Sequence, residues 1–206
     1  MKIPVTLDAV SDYISDSIAV KQKLLADTAL KQAIVDVTQA CMDALRRGNK
    51  ILIGGNGGSA ADAQHIAAEF VSRFEFDRPG LPAIAITTDT SALTAIGNDY
   101  GYELLFARQL QALGREGDVF IGITTSGNSK NVLKAMEVAA EMGIVRVALC
   151  GAGGKIQQMA DHVLAAPSTH TPRIQESHIL IGHIICALCE ENLFPEYKKP
   201  KAAAPA

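Results

Sequence analysis

No stretch of the 206-residue chain reaches the roughly 18 apolar residues that a membrane span needs. Its start also lacks the basic residues, apolar run and small-residue cleavage site of an export signal. The expectation is a cytoplasmic protein without a membrane partner. Cysteine is scarce: Cys41, Cys150, Cys186 and Cys189 are scattered, and three of them sit in apolar segments, as reduced, buried thiols do. Cys186 and Cys189 form a C-x-x-C, but no second pair follows at zinc-ribbon spacing, so the pattern reads as packing. Charge of one sign is lacking too. With 19 basic and 22 acidic residues the formal net charge is −3, which gives no electrostatic reason for direct nucleic-acid binding. An anionic ligand must therefore be held by local structure.

What is present is periodicity. Val10, Ile14, Ile18 and Leu25 mark one helical stripe, and Ala33, Ile34, Val37, Cys41 and Leu45 another. Residues 1–48 thus read as two helices, an arm over the sheet or an oligomer interface, ended by Gly48 and Asn49. Short apolar strands then alternate with helices. Strands are expected at 50–54, 83–87, 118–124, 146–150 and 162–165, and helices at 59–73, 91–96, 102–113, 129–142, 155–160 and 174–193. Near-continuous apolar strands separated by helices predict an α/β fold with a doubly wound, five-stranded parallel sheet over residues 49–194. A tail at 195–206 has no apolar pattern from Lys198 onward and is expected to be disordered.

Parallel sheets bind ligands at the carboxyl ends of their strands, and three of the expected ends are unusual. The first reads GGNGGS (54–59), the third TTSGNS (124–129) and the fourth GAGGK (151–155). Thr124, Thr125, Ser126 and Ser129 set four hydroxyls around Gly127 just before a helix, whose first N–H groups have no internal partner. Capping needs only one hydroxyl, so the cluster favours a phosphate cradle. Asn56, Gly57, Gly58 and Ser59 form a tight strand-to-helix turn, with Asn56 and Ser59 available to hydroxyl groups. The turn fits neither a dinucleotide fingerprint nor a Walker loop, which disfavours a nucleotide, whereas a sugar phosphate needs only such short loops.

His65, Glu69 and Arg73 follow at i, i+4 and i+8 on the next helix. A surface Glu69–Arg73 ion pair would account for part of this pattern; an imidazole and a carboxylate one turn apart are also a common two-ligand metal arrangement. The stretch 173–190 adds Gln175, Glu176, His178 and His183 to an apolar helix. Eight residues overshoot two full turns by about 80°, so spacing does not align Gln175 with His183, and His178 is the nearer partner of Gln175.

GNGGSAADAQHIAAEFVSRF, GNDYG (97–101), TTSGNS, GAGGK and RIQESH with His183 five residues on, taken together over about residues 50 to 190, resemble the phosphoheptose isomerase family, whose fold is the sugar isomerase (SIS) domain. The resemblance implies conversion of sedoheptulose 7-phosphate to D-glycero-D-manno-heptose 7-phosphate, an early step toward ADP-heptose and lipopolysaccharide. It implies one zinc ion per subunit on His65, Glu69, Gln175 and His183, with Glu69 and His183 transferring protons. Substrate contacts are implied for Asn56, Gly57, Gly58, Asn98, Asp99, Thr124, Thr125, Ser126 and Ser129, with Arg73 as a further one, in a homotetramer whose sites lie between subunits. Ser59, Glu69 and Gln175 join the expected substrate-binding set.

Three departures stand out. Pro172 replaces an acid found in some members, and Thr124 replaces a serine found in some relatives while keeping the hydroxyl. The segment ENLFPEYKK resembles a noncatalytic SIS adaptor that binds the replication initiator, but that relative lacks a glutamate matching Glu69. Another sugar-phosphate aldose/ketose isomerase is the remaining alternative. The absence of an appended domain after residue 190 argues against arabinose-phosphate isomerases, and that of an N-terminal DNA-binding motif against sugar-responsive repressors.

Overall fold

Two helices, α1 (Leu7–Ala26) and α2 (Thr28–Arg46), precede the sheet in the computed structural model, which describes residues 5–198. Thr6 caps α1 by accepting from the Ala9 N–H, and Asp27 caps α2 by accepting from the Leu30 N–H. As expected, Gly48 and Asn49 close α2, their N–H groups reaching the Leu45 and Ala44 carbonyls. The stripe read in α1 is largely its exposed face. Val10, Ile14, Ile18 and Leu25 all face solvent in the single chain, and Val20 and Leu24 pack inward instead.

The sheet has five strands in the order β2-β1-β3-β4-β5, all parallel. They are β1 (Ile51–Gly55), β2 (Ala83–Ala85), β3 (Val119–Thr124), β4 (Val145–Cys150) and β5 (His162–Ala165). Side chains alternate across the pleat, so Ile51, Ile53, Ile121 and Leu149 face one layer while Leu52, Phe120 and Ala148 face the other. The first layer holds α2, α3 (Gly58–Val71) and α7 (Thr171–Leu193); the second holds α5 (Leu105–Leu113) and α6 (Lys130–Glu141). This is the doubly wound architecture the sequence predicts. α4 (Thr90–Asp99) runs longer than expected. The helix read at 102–113 is a 3₁₀ turn followed by α5, and that at 155–160 is a single 3₁₀ turn, Lys155–Gln158. Pro172 lies in the first turn of α7, where its missing N–H costs nothing.

Burial pushes the Cys41 thiol up to about 12 and raises those of Cys186 and Cys189 as well, so these cysteines are packing residues. Leu193 and Phe194 of the Leu-Phe-Pro segment pack against the core, and the Phe194 ring lies 5.8 Å from the Arg78 guanidinium. That segment therefore has a packing role within the fold. From residue 199 on, the expected tail lies outside the described residues. No helix among the described residues is long and apolar enough to cross a membrane.

Candidate active site

In this strand order the chain leaves β1 toward one side of the sheet and β3 toward the other, so a crevice opens at their carboxyl ends. The loops GGNGGS and TTSGNS flank it. At the first, Gly57 caps α3 with a φ of +56° and no side chain caps the helix. The loops are joined by a reciprocal amide pair: Asn56 Nδ2 donates to Asn131 Oδ1 and Asn131 Nδ2 donates to Asn56 Oδ1, each at 2.9 Å. Tyr102 Oη also donates to Asn56 Oδ1 at 2.9 Å. Both lone pairs of that oxygen are then used, and one Nδ2 proton remains for a ligand. A cavity of about 270 Å³ opens beside Asn56, Gly57, Thr87 and Tyr102.

At the second loop, Thr124 Oγ1 lies 2.8 Å from Ser129 Oγ and 3.5 Å from Ser126 Oγ. Ser129 is the N-cap residue of α6 by position, yet its hydroxyl makes no capping bond. The hydroxyls face one another at the mouth of a helix N-terminus, which is how an oxyanion is received. GAGGK is no second cradle. It braces the first, with Ile156 N–H donating to the Gly127 carbonyl, Gly151 N–H to the Thr125 carbonyl and Lys155 N–H to Asn128 Oδ1. Gly127 (φ +67°) and Gly154 (φ +111°) touch backbone to backbone, and a Cβ at either would overlap the other loop.

His65 and Glu69 lie on the face of α3 that meets α7, where Gly182 leaves room for Ile66 and lets the helices approach. There, His65 Nε2 is 2.9 Å from His183 Nε2 and 3.2 Å from Glu69 Oε1. The three ligand atoms lie within 4.8 Å of one another, so His65, Glu69 and His183 form a group able to hold a metal ion. Two imidazoles and a carboxylate that converge suit a borderline-soft divalent ion such as zinc. Asp62, one turn before His65, is half-buried and its pKa is raised by that burial, against the opposing charge of His65.

The two histidines of α7 part company. His178 is fully buried, has Nε2 3.0 Å from the Cys150 carbonyl oxygen, and is held down to about 4 by its burial. It is a core residue, and the geometric preference for it as the partner of Gln175 is not met. Gln175 instead packs on Gly58 at the start of α3. Eight helical residues, about 12 Å along the axis, separate it from His183. Ser59 is buried against Gly55. Because α3 ends at Val71, Arg73 leaves the helical face; it makes no ion pair with Glu69 among the described residues and lines a separate pocket with Phe76 and Tyr197. Asn98 donates to Asp99 Oδ1, and Asp99 lines a different cavity from Asn56. Asn131 and Tyr102 were not foreseen, although Tyr102 directly follows GNDYG and Asn131 lies two residues beyond TTSGNS.

The class these features define is the SIS-domain protein: a family model described as "SIS domain" matches residues 12–151. Within it, the phosphoheptose isomerase of Aneurinibacillus thermoaerophilus is 62% identical over 188 residues, covering 91% of this chain and 95% of its own. Phosphoheptose isomerase 2 of Campylobacter jejuni is 60% identical, covering 90% and 92%. Among solved structures, the phosphoheptose isomerase of Neisseria gonorrhoeae superimposes with a TM-score of 0.84 at 45% identity, over 89% of this chain and 98% of that one. That of Francisella tularensis gives 0.87 at 40% identity, over 91% and 100%. The chain belongs to the phosphoheptose isomerase family.

Proposed function

We propose that the protein is an isomerase that converts sedoheptulose 7-phosphate to D-glycero-D-manno-heptose 7-phosphate through an enediol. The convergence of Glu69 and His183 beside His65 carries this reading. A base takes a proton from C1 of the ketose while the C2 carbonyl oxygen gains one, giving the enediol. The O1 proton then leaves and C2 receives a proton, so the aldehyde forms at C1 with no net change of atoms. A carboxylate and an imidazole within 4.8 Å of each other are suited to both transfers near neutral pH. The hydroxyls of Thr124, Thr125, Ser126 and Ser129 hold the phosphate, and the sugar hydroxyls lie against Asn56, Gly57 and Gly58.

His65, Glu69 and His183 would hold zinc, which supplies Lewis acidity toward the carbonyl when bound. In the homotetramer of this proposal the sites lie between subunits, with Gln175 as a further zinc ligand and Arg73, Asn98 and Asp99 as further substrate contacts. The exposed apolar face of α1 offers surface for such an assembly. The product would enter ADP-heptose and lipopolysaccharide synthesis in the cytoplasm. Incubation with sedoheptulose 7-phosphate, followed by NMR, tests the assignment: the aldoheptose phosphate is expected, and an unchanged ketose with folded, zinc-supplemented protein would refute it.

A further inference from the structure

The segment between α3 and β2 is built around an ion pair that the chemistry above does not use. Arg78 and Glu190 are both buried, with Arg78 Nε 3.1 Å from Glu190 Oε1. A buried pair is tolerated when its remaining donors and acceptors are matched, and here they are. Glu190 also accepts from the N–H groups of Phe74, Glu75 and Phe76 at 2.8, 2.6 and 3.3 Å. Arg78 donates through Nη1 to the carbonyls of Phe70, Ser72 and Pro79, and through Nη2 to the carbonyl of Glu69 at 2.8 Å. It is thus a cation set on the last carbonyls of α3, where the helix dipole favours it.

Both ends of this network reach the metal-holding group. The Glu69 carbonyl is tied to Arg78, and Phe74, whose N–H is held by Glu190, stacks its ring 5.4 Å from that of His183. Glu190 itself lies on α7, seven residues and about two turns beyond His183. We infer that Arg78 and Glu190 are positioning residues, fixing the approach of α3 to α7 so that Glu69 and His183 meet in one geometry; the kinetic part of this inference rests on the isomerase reading.

The test compares wild type with Glu190→Gln, Arg78→Lys and Phe74→Leu. Phe74→Leu leaves the ion pair intact and carries the test if the other two do not fold. Asp118→Asn serves as a control, because it disturbs the Lys50–Asp118 pair at the opposite edge of the sheet. Zinc affinity is measured by competition with a chromogenic chelator, and kcat and KM on sedoheptulose 7-phosphate. Loss of an outer-sphere support is expected to lower zinc affinity and kcat by about 10–100-fold, with KM within about twofold. Asp118→Asn should lower only the thermal midpoint. Folded variants that keep wild-type zinc affinity and kcat overturn the inference, as does Asp118→Asn lowering both equally. A wild type that binds zinc without turnover would refute the isomerase while the zinc measurement still judges the pair. One that does neither overturns both.

Discussion

At the amino-terminal edge of the sheet Asp118 is fully buried and both its oxygens are occupied: one accepts from Asn49 Nδ2 and the Lys50 N–H, the other from Lys50 Nζ and the Arg115 N–H. At the carboxyl-terminal edge Thr124, Ser126 and Ser129 bond mainly to one another, and farther along α3 and α7 His65, Glu69 and His183 converge. Each edge contains polar groups held by backbone turns. The difference is that Asp118 is satisfied internally, whereas the hydroxyls and the His/Glu group keep bonding capacity for a ligand; the first suits stability, and the others suit the binding and chemistry proposed above.

The largest effect should come from breaking the proposed acid/base pair. Glu69→Gln or His183→Gln is expected to lower kcat by about 10²–10⁴-fold, the usual share of an acid/base group, while the thermal midpoint moves little. Steady-state kinetics alongside thermal unfolding separates the two readouts.

Next comes the buried His178. Its folded-state pKa, about 4, lies below the ordinary imidazole value of 6.5, so the unfolded chain binds the proton first as pH falls. Its contribution is complete above about 6.5 and is lost toward about 4, a change on the order of 3 kcal/mol at most. Urea unfolding across that window should show the slope, and His178→Asn should flatten it.

At the first edge, burial alone would raise the pKa of Asp118, but hydrogen bonds from Lys50, Asn49 and Arg115 outweigh it and hold it below the usual carboxylate range. Its stabilisation is therefore present above the unfolded carboxylate pKa and is lost as pH falls through the lower folded value, a window more acid than that of His178. Asp118→Asn should cost about 2–3 kcal/mol in denaturant titration at neutral pH and leave KM unchanged. Thr124→Val sharpens the comparison from the other side. It keeps the buried shape and removes one hydroxyl from the cradle, so KM for the phosphorylated substrate should rise roughly tenfold with stability nearly constant.

The contrast between the edges was only partly legible in the sequence. Apolar runs that alternate with helices disclosed the parallel sheet, and hydroxyl-rich or glycine-rich strand ends marked the candidate binding edge, because both depend on residues close together in the chain. Contacts between distant segments were not legible. GAGGK resembled a ligand loop, yet its glycines serve a backbone contact with Gly127. Gln175 and His183 share a helix, yet Gln175 packs on Gly58 while His183 meets His65 and Glu69, and Arg73 falls away because α3 stops at Val71. Arg78 and Glu190 are 112 positions apart. The one hint was a glutamate seven residues after His183, following the buried Cys186 and Cys189 on an apolar helix.

The most direct measurement is turnover of sedoheptulose 7-phosphate by wild type and Glu69→Gln side by side, both verified as folded and supplied with zinc. The account predicts aldoheptose phosphate from the wild type and at least about 100-fold less from the variant. Equal turnover by the two proteins, or none by the wild type, would contradict it.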